Sequence, residues 1–326
     1  MSAFWLFAAA VVAWAAWYNR NEVHPRRALV LQYHSVVDDL EKAIAASPYE
    51  RLFSVGKEAF AEQLRWLAGA GYRFLSNAQL VDALRGQSEW PRRAVVVTFD
   101  DGWQSIYDHA WPVLRELHIP ATIFLTTDPK AEVFTKKAAV DAPLTPAMVR
   151  EMAAAGIDFQ GHGVTHGDLS RMAETDVRRE LSNSRAAIES LTRRPVDTYS
   201  LPGTTRHTRE LVRISRALGY RAIHTPFIGA VTPGANPMMI RRIMVEGSFD
   251  MDAFHANLRP LPILQRKVIG YLKKLPPRIL GPRIWMPIRA YLFTSPLASL
   301  LTLRGLKMML TVVVLMAVLL GWWLAR

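Results

Sequence analysis

The residues best equipped for chemistry lie in two short stretches. Asp100 and Asp101 follow Ala94–Phe99 (AVVVTF) and precede Gly102, while His162 and His166 stand four apart in GHGVTH, just after Ile157–Gln160. Two imidazoles and one carboxylate are a common three-point set for a divalent metal, leaving positions open for water and substrate. If Asp101 belongs to that set, Asp100 is free to act as a base on a water activated by the cation, because one carboxylate does not easily do both. Neither stretch carries this reading alone. An isolated DDG is most often a turn whose first Asp caps the next helix, and a lone His pair at this spacing is usually surface decoration. Both pairs, however, follow strand-like segments, and the carboxyl ends of strands are where ligands sit in barrel and open α/β folds.

The elements that must position these residues alternate. Ala28–Tyr33 reads as a first strand ending at His34, and Phe60, Leu64 and Leu67 form a helical stripe closed by Gly69 and Gly71. Tyr72–Leu75 is a strand, followed by a helix carrying Leu80, Val81 and Leu84 that stops near Gly86. After the apolar, β-branched strand Ala94–Phe99 comes a helical face of Ile106, Ala110, Val113 and Leu117 with Pro112 as a kink, then the strand Ala121–Thr126. Thr145-Pro146 starts a helix that Gly156 stops, Thr175 caps a longer one lined by Val177, Leu181, Ser184, Ile188 and Leu191, and Thr208 begins another. Thr198–Leu201 and Arg221–His224 complete the strands. Roughly seven strand and helix pairs before Leu258 predict an α/β fold with a parallel sheet or barrel.

Composition narrows the function classes. The chain has 326 residues, half of them apolar, enough for one large domain with accessories. It has no cysteine, which excludes disulfides, thiolate metal sites and a cysteine nucleophile. The net charge of +12 is confined to the C-terminal part: nothing after Asp252 is acidic, while eleven Lys or Arg lie between Arg259 and Arg326. No recognised nucleic-acid motif accompanies this basic part, and an anionic membrane surface is the better match. Residues 3–18 and 308–325 are apolar runs expected to be membrane helices, and 259–307 alternates apolar groups with basic residues and prolines, as a membrane-surface segment would. Lys and Arg flank the inner end of both runs, so the positive-inside rule favours a cell-membrane protein with its domain, 27–258, on the cytoplasmic face.

Thr98-Phe99-Asp100-Asp101-Gly102 together with His162-x-x-x-His166 resembles the first two motifs of the NodB-type polysaccharide deacetylases, carbohydrate esterase family four. Leu31-Gln32-Tyr33-His34, Phe60–Tyr72 and Ile119–Leu125 are also similar to that family, and the Tyr-His element resembles the subgroup that deacetylates poly-β-1,6-N-acetylglucosamine. The resemblance implies a distorted (β/α) barrel of the polysaccharide deacetylase type and metal-dependent removal of an N-acyl group from an amino sugar. It implies Asp101, His162 and His166 as metal ligands, with zinc first and cobalt or nickel as alternatives, and Asp100 as the base. His34 is the implied acid, with His224 in reserve though more readily a structural histidine. Tyr199, Pro202 and Gly203 match a substrate-binding wall. Family analogy also allows a periplasmic or extracellular domain.

Three departures bear on activity, one of them being that the family's usual late histidine motif is missing. Gly163 stands where the family commonly has Ser or Thr, so a hydrogen bond near the metal is expected to be missing. In the third motif Ser200 replaces the arginine that orients the base, and Arg206 is the expected substitute from the following loop. The leading expectation is an enzyme acting on an N-acylated amino-sugar polymer or a lipid-linked sugar. The alternative is an impaired sugar-binding or assembly protein that retains the barrel.

Overall fold

The computed structural model describes residues 24–203 and 205–259. The membrane helices expected at 3–18 and 308–325, and the basic segment from residue 260 onward, lie outside the described residues. Among the described residues no helix is long and apolar enough to cross a membrane.

Among the described residues ten strands run in chain order: β1 Ala28–Tyr33, β2 Ser35–Val37, β3 Ser54–Gly56, β4 Arg73–Phe74, β5 Ala94–Phe99, β6 Ala121–Leu125, β7 Asp158–Gly161, β8 Thr198–Ser200, β9 Ala222–Ile228 and β10 Ile240–Met244. β5 through β10 pair in sequence, β10 pairs with β1, and β1 returns to β5, so seven parallel strands close on themselves. The closing seam is regular, running from Ala28 opposite Ala94 to Tyr33 opposite Phe99. β4 sits beside the start of β5, and β2 and β3 form a separate two-stranded pair. The fold is thus the expected α/β barrel, with seven strands.

Side chains alternate across a strand, so each barrel strand presents every second residue to the interior. Ala28 and Val30, Ala94 and Val96, Ala222 and Ile240 join Leu80, Val81 and Leu84 of the helix Asn77–Leu84 in one buried cluster. These are the first inward positions of their strands, so this helix plugs the amino end of the barrel. Continuing the same rows toward the carboxyl ends gives Gln32, Thr98, Asp100, His224 and Arg242. The interior therefore changes from apolar to polar along the strand direction, and the polar end is the mouth.

The outward rows pack on helices. Tyr33 lies edge-on to Phe60 with ring centres 5.2 Å apart and donates its hydroxyl to Gln63 at 2.9 Å, fixing Lys57–Gly69 against β1. Phe60, Leu64 and Leu67 are all fully buried there. Pro112 does not simply kink a helix. Ile106–Ala110 forms a π turn, and Trp111–Glu116 continues as an α-helix with Pro112 in its first turn, where a missing N–H costs little.

Candidate metal centre and active site

The interruption of β5 by two aspartates creates the first half of the site. Asp101 has φ +71° and Gly102 φ +96°, so the chain turns sharply in the left-handed region, which an aspartate enters only at some energetic cost. The turn sends consecutive carboxylates to different partners. Asp101 Oδ2 accepts a hydrogen bond from Trp103 Nε1 at 2.9 Å. Its Oδ1 is buried without a hydrogen-bond donor, 3.4 Å from His162 Nε2 and 3.2 Å from His166 Nε2.

The second half follows β7. His162 donates from Nδ1 to the carbonyl of Ser200 at 3.0 Å, which fixes the tautomer and leaves the Nε2 lone pair facing Asp101. His166 reaches the same point from a residue with φ +60°. One ligand atom from each of the three residues lies within 4.8 Å of the others. A buried carboxylate oxygen lacking a donor, faced by two imidazole nitrogens with one tautomer set by the backbone, is the donor set that a divalent cation satisfies. Burial pushes the Asp101 carboxyl up, but His162 and His166 outweigh it and hold the group well below the usual carboxylate range. Burial pushes His162 down, and the charges of Asp100 and Asp101 more than reverse this, leaving its pKa raised.

Asp100 is held apart from the three ligands. Arg242 donates from both terminal nitrogens, at 2.6 Å to Oδ1 and 2.7 Å to Oδ2, and Gln32 donates to Oδ2 at 2.8 Å. Ser200 receives a bond from Arg242 at 2.7 Å and lies 3.3 Å from Oδ2. Burial alone would raise this carboxyl, but Arg242, followed by His162 and His34, brings it down to about 2.

The guanidinium on Asp100 is therefore not Arg206. Arg206 is exposed in the loop after β8, whereas Arg242, 1% exposed, comes from β10. Sequence reasoning missed both the strand and the residue. Two adjacent arginines in IRRIM read as a polar segment, and only the alternation of Ile240, Arg242 and Met244 signals a strand with one charged residue turned inward.

Tyr199 also differs from expectation. It occupies the outward row of β8, is fully buried, contacts the Tyr220 ring at 4.9 Å and shares a 2.8 Å hydrogen bond with Ser215. It packs against the helix layer and forms no wall at the mouth. Its neighbour Ser200 has the inward position, as period-two alternation requires. Pro202 and Gly203 do lie at the site: a Cβ on Gly203 would stand 3.5 Å from His166 Cε1, and Pro202 lies beside Gly163.

His34 ends the inward row of β1. It packs edge-on to Phe53 at 5.0 Å, and its Nδ1 is buried without a partner. Burial lowers its pKa, against the opposing pull of Asp101 and Asp100. His224 sits deeper, bonded through Nε2 to Asn77 at 2.8 Å and packed on Phe124 at 4.7 Å. Burial, reinforced by Arg242, drives its pKa well below the usual histidine value, and its place suits a structural histidine.

Residues 87–223 match the family model described as polysaccharide deacetylase, a span that includes Asp100, Asp101, His162 and His166. The chain carries a polysaccharide deacetylase domain. It is accordingly a hydrolase of the family that acts on carbon–nitrogen bonds. The putative polysaccharide deacetylase YxkH of Bacillus subtilis (strain 168) is 24% identical over 247 residues, covering 76% of this chain and 81% of that protein. The poly-β-1,6-N-acetyl-D-glucosamine N-deacetylase of Staphylococcus epidermidis is 28% identical over 259 residues, covering 74% and 84% respectively. Among solved structures, the Streptococcus pyogenes deacetylase PplD in complex with acetate superposes with a TM-score of 0.62 at 24% identity, covering 72% of this chain and 100% of that one. IcaB from Ammonifex degensii superposes at 0.58 with 23% identity, covering 70% and 94%. These structural likenesses show the same fold as the deacetylase domain.

Proposed function

We propose that the domain hydrolyses the N-acetyl amide of a glucosamine residue in a β-1,6-linked polymer, with a divalent metal, zinc first, held by Asp101, His162 and His166. The observation that carries this reading is the unpaired Asp101 Oδ1 between two imidazoles, beside a second aspartate held by other donors. The polymer is supported by the extent of likeness to the staphylococcal deacetylase. A divalent cation held by Asp101, His162 and His166 would supply Lewis acidity toward the water and the amide carbonyl.

This chain's residues do the remainder. Asp100 is ionised at neutral pH and accepts the proton of the attacking water, while Arg242, Gln32 and Ser200 hold its carboxylate in place. A carboxylate of such low pKa is a weak base, so its efficiency depends on fixed position. The water oxygen bonds to the carbonyl carbon, the carbon–nitrogen bond breaks, and His34 protonates the departing amine. The products are acetate and a free amino sugar. The alternative of an impaired binding protein rested on the missing third-motif arginine, and Arg242 supplies that guanidinium from another strand. The apolar runs at both ends support a place for the domain at a membrane, near nascent or anchored polymer.

The test is incubation of the full-length chain with N-acetylated β-1,6-glucosamine oligomer, measuring acetate and free amine before chelation, after it, and after zinc is restored. Release that stops with chelator, returns with zinc and is absent in Asp100→Asn is the expected result. Metal bound at one equivalent with no acetate released would overturn it.

A further inference from the structure

The loop joining the two histidine ligands is short, strained and without regular secondary structure of its own, yet it must hold two imidazoles on one point. Gly163 has φ +85° and His166 φ +60°, so two residues of this five-residue span occupy the left-handed region. One side of the loop is secured by backbone groups: the carbonyls of Gly163 and Val164 accept from the amides of Thr127 and Asp128 at 3.2 and 3.0 Å. The other side is secured by a single side chain. Glu180, from the long helix Glu174–Thr192, accepts from the Val164 amide at 2.8 Å and the Thr165 amide at 3.1 Å through Oε2, and from the Thr165 hydroxyl at 2.9 Å through Oε1.

We infer that Glu180 is a positioning residue for the metal centre, presetting the histidine loop so that His162 and His166 converge before a cation arrives. This rests on the metal reading given above. Three donors within two residues converge on one carboxylate, and charge-assisted bonds of this kind are stronger than neutral ones. Glu180 also accounts for the glycine in the loop. A Cβ at position 163 would stand 3.1 Å from Glu180 Oε2, so the carboxylate occupies space that a side chain there would need. Glu180 stands eighteen positions after His162, on a different element. Glu180 touches no reacting atom, and its effect passes through the backbone between the ligands.

The experiment compares zinc affinity, by competition with a chelating indicator, in the full-length wild type, Glu180→Ala and Glu180→Gln. It also records the visible absorption of the cobalt-loaded forms and the melting temperature of each metal-free form. Removing a partner that orients metal ligands typically weakens metal binding about 10- to 100-fold. That loss is expected in Glu180→Ala, with an altered cobalt spectrum and a metal-free melting temperature close to wild type. Glu180→Gln keeps an acceptor for the two amides and is expected to recover most of the affinity. Unchanged zinc affinity and cobalt spectrum in Glu180→Ala would overturn the role of Glu180, as would a fall in metal-free melting temperature that the glutamine variant shares in full. A wild-type protein that binds no zinc would instead defeat the metal reading itself, so the two failures are distinct.

Discussion

Arg242 offers the sharpest test of the site, because its effect can be separated from folding in general by its pH dependence. Its guanidinium is 1% exposed and makes two short bonds to Asp100, a third to Ser200 and a longer contact to Thr98. The Asp100 carboxyl stands at about 2 against an ordinary 3.8. A depression of roughly two units corresponds to about 2–3 kcal/mol of stability at neutral pH. Because the folded pKa is lowered, that stability is fully present above 3.8 and is lost as pH falls through about 2. Arg242→Met leaves Asp100 buried without its counter-charge, and breaking a buried pair from one side costs about 3–5 kcal/mol. Urea denaturation of wild type and Arg242→Met at pH 7 and at pH 3 should therefore show a wide stability gap at pH 7 that narrows in acid, as the variant's carboxyl, its pKa now raised by burial, takes up a proton. Asp100→Asn and the double variant complete a cycle that isolates the pair. A gap of equal size at both pH values, or a coupling energy near zero, would refute the assignment of Arg242 as the partner of Asp100. Activity should follow the same logic, with the acid limb of kcat/KM moving upward in Arg242→Met.

Asp101→Asn is expected to lose stoichiometric zinc through gel filtration, measured by elemental analysis, with the far-UV circular dichroism of the barrel retained. Trp103→Phe removes the indole donor to Asp101 Oδ2 and, because the indole is fully buried, also leaves a cavity, so zinc affinity should fall about 10- to 100-fold together with a lowered melting temperature. His34→Asn should lower kcat by about 10²- to 10⁴-fold while leaving zinc affinity unchanged. Since burial lowers the His34 pKa, its protonated form declines at a pH below the usual 6.5, and the limb that disappears in the variant should lie on that side. Leu80→Ala opens a cavity in the plug beneath the site and should cost about 2–5 kcal/mol in urea, with activity at saturating zinc unchanged.

What could be read from the chain before its structure follows from the range of the interactions involved. The strands β1, β5 and β6 are short apolar runs whose burial on both faces leaves a local imprint, and Asp100 and Asp101 stand at the end of one of them. The plug helix was legible as a helix from Leu80, Val81 and Leu84, but nothing local says that it fills the amino end of the barrel. β10 was not legible, because an arginine in the interior is paid for by an aspartate 142 positions earlier, a compensation invisible to any window of neighbouring residues. Glu180 was hidden for the same reason, appearing as one more charge on a surface helix. Tyr199 is different, since the information was present. With Ser200 beside it on one strand, only one of the two can face the barrel, and the other must pack on the helices. The inward rows rank the candidates in the same way: His34, Asp100, Ser200 and Arg242 all extend rows that begin with plug-facing or buried residues, and Tyr199 does not. A rule of alternation applied from the apolar end of each strand would therefore have selected the polar lining of the mouth, including the arginine, once β10 was recognised as a strand.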